Sequence, residues 1–281
     1  MRVIEQIQEM REWSETERRA GRRIVLVPTM GFLHEGHLSL VRDGKKRGDR
    51  LVVSLFVNPL QFGPQEDYAA YPRDFERDRS LLEREGADVL FSPSAEEMYP
   101  DGHQTYVDAG KLGEHLCGAV RPGHFRGVAT VVAKLFNIVR PHAAIFGVKD
   151  YQQLQVIRRV TRDLNLNAEV VGHPTVRDKD GLALSSRNSY LNEAERKAGL
   201  SLYRSLKKAE ALALAGERDS RRLLDAAREE IEREPLARIQ YVKLCHAETL
   251  EDIEAIESEA VLALAVWVGK TRLIDNTVLK A

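Results

Sequence analysis

Two regimes of hydrophobic patterning divide this chain. Through residues 1–177, short unbroken apolar runs alternate with stretches whose apolar positions recur every three to four residues. That is the pattern of buried parallel strands alternating with amphipathic helices. The strand-like runs are IVLV at 24–27, LVVSLFV at 51–57, ADVLFSP at 87–93, AAIF at 143–146 and AEVVGHPTV at 168–176. Helical spacing covers 3–19, with Ile4, Ile7, Met10 and Trp13 on the apolar side, and begins again near Gly36, with Leu38 and Val41 inward. A third helix ends near Glu85, a strongly apolar one covers 128–139, and a fifth carries Leu154, Ile157 and Val160 on its inner face. After the turn signal DKDGL at 178–182 the order changes. Two long Ala/Leu/Glu/Arg-rich amphipathic stretches over 193–234, broken near Gly216, precede strand-like runs at 238–246, 260–269 and 271–279. The expectation is an α/β protein: a Rossmann-like parallel-sheet domain over 1–177 and a smaller C-terminal α+β domain over 178–281.

The first strand leads into VPTMGFLHEGHLSLV at 27–41. Pro28 lacks a ladder donor and suits a strand's end. Gly31 and Gly36 permit a tight turn and close approach of backbone to a ligand. The helix start that follows offers unpaired N–H groups and the positive end of the helix dipole, a site for an anion. His34 and His37 fall there, three residues apart. Imidazoles so placed donate to phosphate oxygens and stabilise charge that builds in a transition state. Metal ligation is the competing use, but no Asp, Cys or third His follows at a spacing typical of zinc sites.

A second strand-to-helix junction, IFGVKDYQQL at 145–154, places Gly147 at the turn, Asp150 at the helix cap and Lys149 beside them. A lysine there neutralises phosphate charge, and Gln153 lies in the first helical turn. Ser185, Ser186 and Arg187 offer two hydroxyls and a guanidinium, either as a phosphate clamp or as a plain helix cap. Asn58 and Gln61 leave the carboxyl end of the second strand, where open α/β sheets place ligands; loop solvation is the alternative use of both. Arg121 and His124 sit in a glycine-rich segment, and the Gly/Pro-bearing stretch 63–72 reads as a lid.

The strings PTMGFLHEGHLSL at 28–40, SLFVNPLQFGPQEDYAAYPRDFERD at 54–78, PGHF at 122–125 and FGVKDYQQL at 146–154 resemble the pantoate–β-alanine ligase family of the nucleotidylyltransferase superfamily. The resemblance is dense over 27–78 and 121–192 and weak over the last ninety residues. It implies an adenylate-forming ligase that joins pantoate to β-alanine through pantoyl adenylate, with Mg²⁺ held by the ATP phosphates. It implies His37, His34, Lys149 and Arg187 as catalytic residues. ATP contacts fall on Met30, Gly31, His34 and His37, on Gly147, Lys149 and Asp150, and on Val176 with Leu184, Ser185, Ser186 and Arg187. Gln61, Gln153, Asn58, Arg121 and His124 are the implied pantoate and β-alanine contacts. Leu184 stands where many relatives carry Met, a swap of similar volume. Lys243 and His246 stand where relatives commonly carry acids, so no ligand contact is assigned to the C-terminal sheet. Family resemblance and the apolar runs 128–139 and 260–269 suggest a homodimer, core packing being the equal alternative for such runs. A plain nucleotidylyltransferase, or a non-catalytic nucleotide-binding module, would use the same loops.

Composition narrows the partners further. With 281 residues, 43% of them hydrophobic, and a net charge of −1, nothing favours nucleic acid or an anionic membrane. The N-terminal stretch is heavily charged, no apolar run approaches the ~20 residues of a membrane span, and two distant cysteines form no disulfide framework. A reduced, cytoplasmic setting is expected.

Overall fold

The computed structural model describes residues 1–64, 66 and 68–281; Gln65 and Asp67, inside the stretch read as a lid, lie outside the described residues. The chain forms two compact units. The first comprises Met1–Gly113, Arg121–Val148 and Gln153–Pro174; the second comprises Glu114–Val120, Lys149–Gln152 and Thr175–Ala281.

The first unit is built on six parallel strands. In chain order its elements are β1 (Arg2–Ile4), α1 (Ile7–Arg19), β2 (Ile24–Thr29), α2 (Glu35–Arg47), β3 (Arg50–Leu55), α3 (Phe75–Arg84), β4 (Val89–Phe91) and α4 (Ala95–Met98). A short α5 (Leu116–Val120) belongs to the second unit; then come α6 (His124–Val139), β5 (Ala143–Gly147), α7 (Tyr151–Asp163) and β6 (Glu169–His173). The strand order is β1-β4-β3-β2-β5-β6. Ile24, Val25, Leu26 and Val27 of β2 are all 0% exposed. Burying each such side chain is worth roughly 1.5–3 kcal/mol, which explains the unbroken apolar run. β2 pairs with β3 on one side and β5 on the other, so the strand order reverses there. Such a reversal opens a ligand crevice at the carboxyl ends of the two central strands.

Several local expectations shift. Residues 3–19 are not one helix, because Arg2–Ile4 pairs with β4 as an edge strand before α1 begins. Three residues are too few for a period to show. β6 ends at His173 rather than near Val176, since Pro174 has no N–H to continue the ladder. The apolar helix starts at His124, four residues before the expected start at 128, behind Gly123 in the left-handed conformation (φ 81°).

In the second unit, α8 (Glu193–Leu214) and α9 (Ser220–Glu232) are followed by β7 (Ala237–His246), β8 (Glu259–Val268) and β9 (Thr271–Lys280). The strands form an antiparallel sheet in the order β7-β8-β9. Leu202, Leu206 and Ala209 of α8 and Leu223, Ala227 and Ile231 of α9 cluster with Leu262, Leu264 and Val266 of β8. Asn192 caps α8 in a reciprocal pair with Glu195.

Candidate functional site

The loop after β2 is held from below. Gly31 takes φ 84°, which suits glycine, but Phe32 takes φ 50°, a conformation costly for a residue with a side chain. Asp78, 0% exposed on α3, holds that backbone in place: its Oδ2 accepts from Phe32 N at 2.6 Å and its Oδ1 from Leu33 N at 2.8 Å. The Arg77 guanidinium lies 5.3 Å over the Phe32 ring. Burial pushes the Asp78 carboxyl above its ordinary range, against the pull of these two backbone hydrogen bonds. Asp78 closes the string quoted at 54–78, but its role cannot be read there, because its two shorter partners are backbone groups, with Arg77 Nη1 further off at 3.4 Å.

His34 is the N-cap of α2, in extended conformation (φ −132°, ψ 174°). Its Nδ1 accepts from Gly36 N at 3.2 Å, and His37 Nδ1 accepts from His34 N at 3.3 Å. The two histidines thus form a reciprocal capping box, a role usually filled by Ser or Thr with Glu. Their ring centroids are 4.1 Å apart. An Nδ1 that accepts carries no proton, so each neutral ring holds its hydrogen on Nε2. The cap therefore fixes the tautomer of both imidazoles and makes Nε2 a donor in each. Gly36, expected to serve a turn, lies inside the first helical turn instead, and its N–H is the one His34 accepts.

Beside this loop, Met30 follows β2, and its Sδ lies 2.9 Å from Gln61 Nε2. Gln61 ends the 3₁₀ turn Pro59–Gln61, which Asn58 caps through Leu60 N. Gln61 and Asn58 are 8% and 1% exposed, so neither is the solvated loop residue of the alternative reading. Arg121 forks onto Glu66 at 2.7 and 2.6 Å, and its Nη1 meets His124 Nε2 at 3.1 Å. His124 Nδ1 and Arg121 Nη2 both reach the Gln61 carbonyl, at 2.7 and 3.3 Å. Arg121, His124, Gln61, Asn58 and Met30 thus form one connected set in the first unit. Burial raises the Glu66 carboxyl, but the Arg121 hydrogen bonds outweigh it and hold the group below its ordinary value. Glu66 was missed at the sequence level, where nothing links it to Arg121. Gly147 ends β5, the strand beside β2, and Gln153 lies half-buried in the first turn of α7.

The second unit carries the other expected residues. Val148–Asp150 forms a 3₁₀ turn that runs directly into α7 at Tyr151, so Asp150, expected at the helix cap, is the residue immediately before that helix. Lys149 is half-buried there, its carbonyl accepting from Asn276 Nδ2 of β9 at 2.8 Å. Val176 and Leu184 face each other across a hairpin, Leu184 N donating to Val176 O at 3.0 Å. The hairpin turns at Gly181, φ 98°, where an added Cβ would meet the Tyr203 ring at 2.2 Å. Arg177 forks onto the buried Asp275 at 2.5 and 2.9 Å and anchors this hairpin to β9. Ser185 caps the 3₁₀ turn Ser186–Tyr190 by accepting from Arg187 N at 3.3 Å. The Ser185 hydroxyl thus serves as a cap of that turn, and Ser186 is buried within it.

A six-stranded parallel sheet with paired imidazoles capping the helix behind its central strand defines an α/β protein with two histidines at a helix start. Comparisons give the particular family. The family model for pantoate–β-alanine ligase matches residues 2–278. The pantothenate synthetase of Thermotoga petrophila is 56% identical over 279 residues, covering 99% of this chain and all of that protein. A solved pantoate–β-alanine ligase (pantothenate synthetase) from Thermus thermophilus superposes with a TM-score of 0.94 at 48% identity, with 99% of each chain covered. The pantoate–β-alanine ligase of Francisella tularensis, solved in complex with β-γ ATP and β-alanine, superposes at 0.81 with 32% identity, covering 99% of this chain and 97% of that one. The chain belongs to the pantoate–β-alanine ligase family.

Proposed function

We infer that the protein condenses pantoate and β-alanine to pantothenate, using ATP. A pantoate carboxylate oxygen attacks the α-phosphorus and the bond to pyrophosphate breaks, leaving pantoyl adenylate. The β-alanine amine then attacks the acyl carbon and AMP departs. Neither step needs a covalent enzyme nucleophile; the first needs two anions held together and charge stabilised as it moves onto pyrophosphate, the second an amine held against the acyl carbon while charge moves onto AMP.

The observation that carries the assignment of roles is the histidine capping box. With both Nδ1 atoms accepting backbone hydrogens, His34 and His37 carry their ring hydrogen on Nε2, the atom that donates to phosphate oxygens. The dipole of α2 adds positive potential at the same place. Lys149 and Arg187 supply full charge to the phosphates, and Ser185, Ser186 and the backbone at Met30, Gly31, Gly147, Asp150, Val176 and Leu184 complete the ATP contacts. Gln61 and Gln153 hold pantoate; Arg121 and His124 take part in substrate binding, Arg121 exchanging the Glu66 carboxylate for a substrate carboxylate. Among the described residues no three His, Cys, Asp or Glu side chains cluster as a metal cage. We therefore assign Mg²⁺ to the phosphate oxygens of ATP, where it would neutralise their charge. Also part of the proposal are a Rossmann-like catalytic domain over 1–177 with a smaller domain over 178–281, a homodimer, and a cytoplasmic setting. Supporting the last, both cysteines are free and buried, and no helix among the described residues is long and apolar enough to cross a membrane.

Single-turnover adenylation separates chemistry from recognition. Removing one preorganised charge donor typically costs about 10²–10³ in rate. His37→Ala and Lys149→Ala should each slow adenylation by that order with small changes in pantoate KM, while Gln153→Ala should chiefly raise pantoate KM. A Lys149→Ala enzyme with a near-normal single-turnover rate would remove Lys149 from the chemistry.

A further inference from the structure

Asn58 commits its whole hydrogen-bonding capacity to the protein. Its Oδ1 accepts from Leu60 N at 3.3 Å and from Tyr99 Oη at 2.8 Å. Its Nδ2 donates to Gln61 Oε1 and to the Gly127 carbonyl, both at 3.1 Å. An asparagine offers two acceptor positions and two hydrogens, so nothing remains for a substrate. The direction of the amide is also fixed. Leu60 N can only donate and the Gly127 carbonyl can only accept, so turning the amide over would break both bonds in a residue 1% exposed.

That direction is passed on. Because Asn58 Nδ2 donates to Gln61 Oε1, the Gln61 amide also has one orientation, oxygen toward Asn58 and Nε2 on the other side, beside Met30. We propose that Tyr99 is a positioning residue for pantoate, acting through Asn58 to hold Gln61 with its NH₂ as the group offered to the substrate. This rests on the reading of Gln61 as a pantoate contact. The partner it selects is an oxygen acceptor, a carboxylate or a hydroxyl lone pair, rather than a donor. Burial raises the Tyr99 phenol well above its ordinary value, so it stays protonated and remains a donor throughout the working range. Its ring is fixed independently, with Phe56 at 6.1 Å and His103 at 5.0 Å between centroids and Lys134 Nζ 5.6 Å away. Tyr99→Phe therefore removes one hydroxyl and keeps the ring in its place.

The test is a double-mutant cycle of Tyr99→Phe and Gln61→Ala, read as pantoate KM, ATP KM and kcat. Tyr99→Phe should raise pantoate KM by about fivefold, the size of one buried hydrogen bond, with ATP KM unchanged. In the Gln61→Ala background the same change should add nothing. Equal increases in both backgrounds, or parallel shifts in the ATP KM, would show a general structural role and overturn the proposal. So would an unchanged pantoate KM in Tyr99→Phe beside a raised one in Gln61→Ala. An unchanged pantoate KM in Gln61→Ala itself would overturn the underlying reading of Gln61, and the proposal with it.

Discussion

His34 and His37 combine structure and chemistry in the same rings: one nitrogen of each closes the start of α2, and that use leaves the other nitrogen protonated. Their presence at a strand-loop-helix junction is readable from the sequence. Their reciprocal cap is not, because Ser and Thr with Glu are the residues that usually signal one. Asp78 is the residue-scale cost behind them. Its folded carboxyl is raised above an ordinary value of 3.8, so the folded state binds that proton more tightly than the unfolded one. The stability this group contributes is thus full below pH 3.8 and is lost as pH rises through the raised value. Asp78→Asn removes the titration and turns one N–H acceptor into a donor that faces the loop. Urea unfolding across a pH series should show the parent losing ground relative to Asp78→Asn as pH rises above 3.8, while the variant adenylates pantoate more slowly. A stability gap independent of pH, or adenylation at the parent's rate, would contradict this account of the loop.

At the scale of elements, the alternation of five apolar runs with helical stretches gave the parallel sheet, and the last three runs gave the antiparallel one. What escaped was β1, three residues long, and the places where elements touch. The approach of α6 to the Pro59–Gln61 turn shows why. Gly127 lies so close that an added Cβ would stand 2.2 Å from the Leu60 carbonyl oxygen and 2.7 Å from Gln61 N. In sequence Gly127 is one of several glycines in a loose-looking segment; in the fold it is the contact that lets the turn seat Asn58 and Gln61. The atoms a Cβ would meet are backbone and cannot swing aside, so Gly127→Ala must move the turn. Overpacking of this kind costs about 1–3 kcal/mol. Thermal unfolding should show that loss, and pantoate KM should rise more than ATP KM. A variant as stable as the parent, with unchanged pantoate KM, would mean that the turn adapts freely.

For the whole molecule, the motif strings over 27–78 and 121–192 carried the resemblance, and the family match extends over 2–278. The second unit was legible as helices followed by strands, but not the inclusion of Glu114–Val120 and Lys149–Gln152 in it. Those two short pieces join it through contacts distant in sequence, among them Gln152 Oε1 with Cys117 N at 2.9 Å and Tyr151 Oη with the Ala247 carbonyl at 3.0 Å. Local periodicity has no access to such contacts. The proposed homodimer is checked by light scattering at micromolar concentration, where a monomer mass would end it. On the proposed mechanism the two anions meet in this enzyme before the amine takes part. Exchange of labelled pyrophosphate into ATP, with Mg²⁺ and pantoate but no β-alanine, measures that step alone. Exchange should depend on pantoate and fall by about 10²–10³ in His37→Ala; exchange that appears only when β-alanine is added would contradict a free pantoyl adenylate.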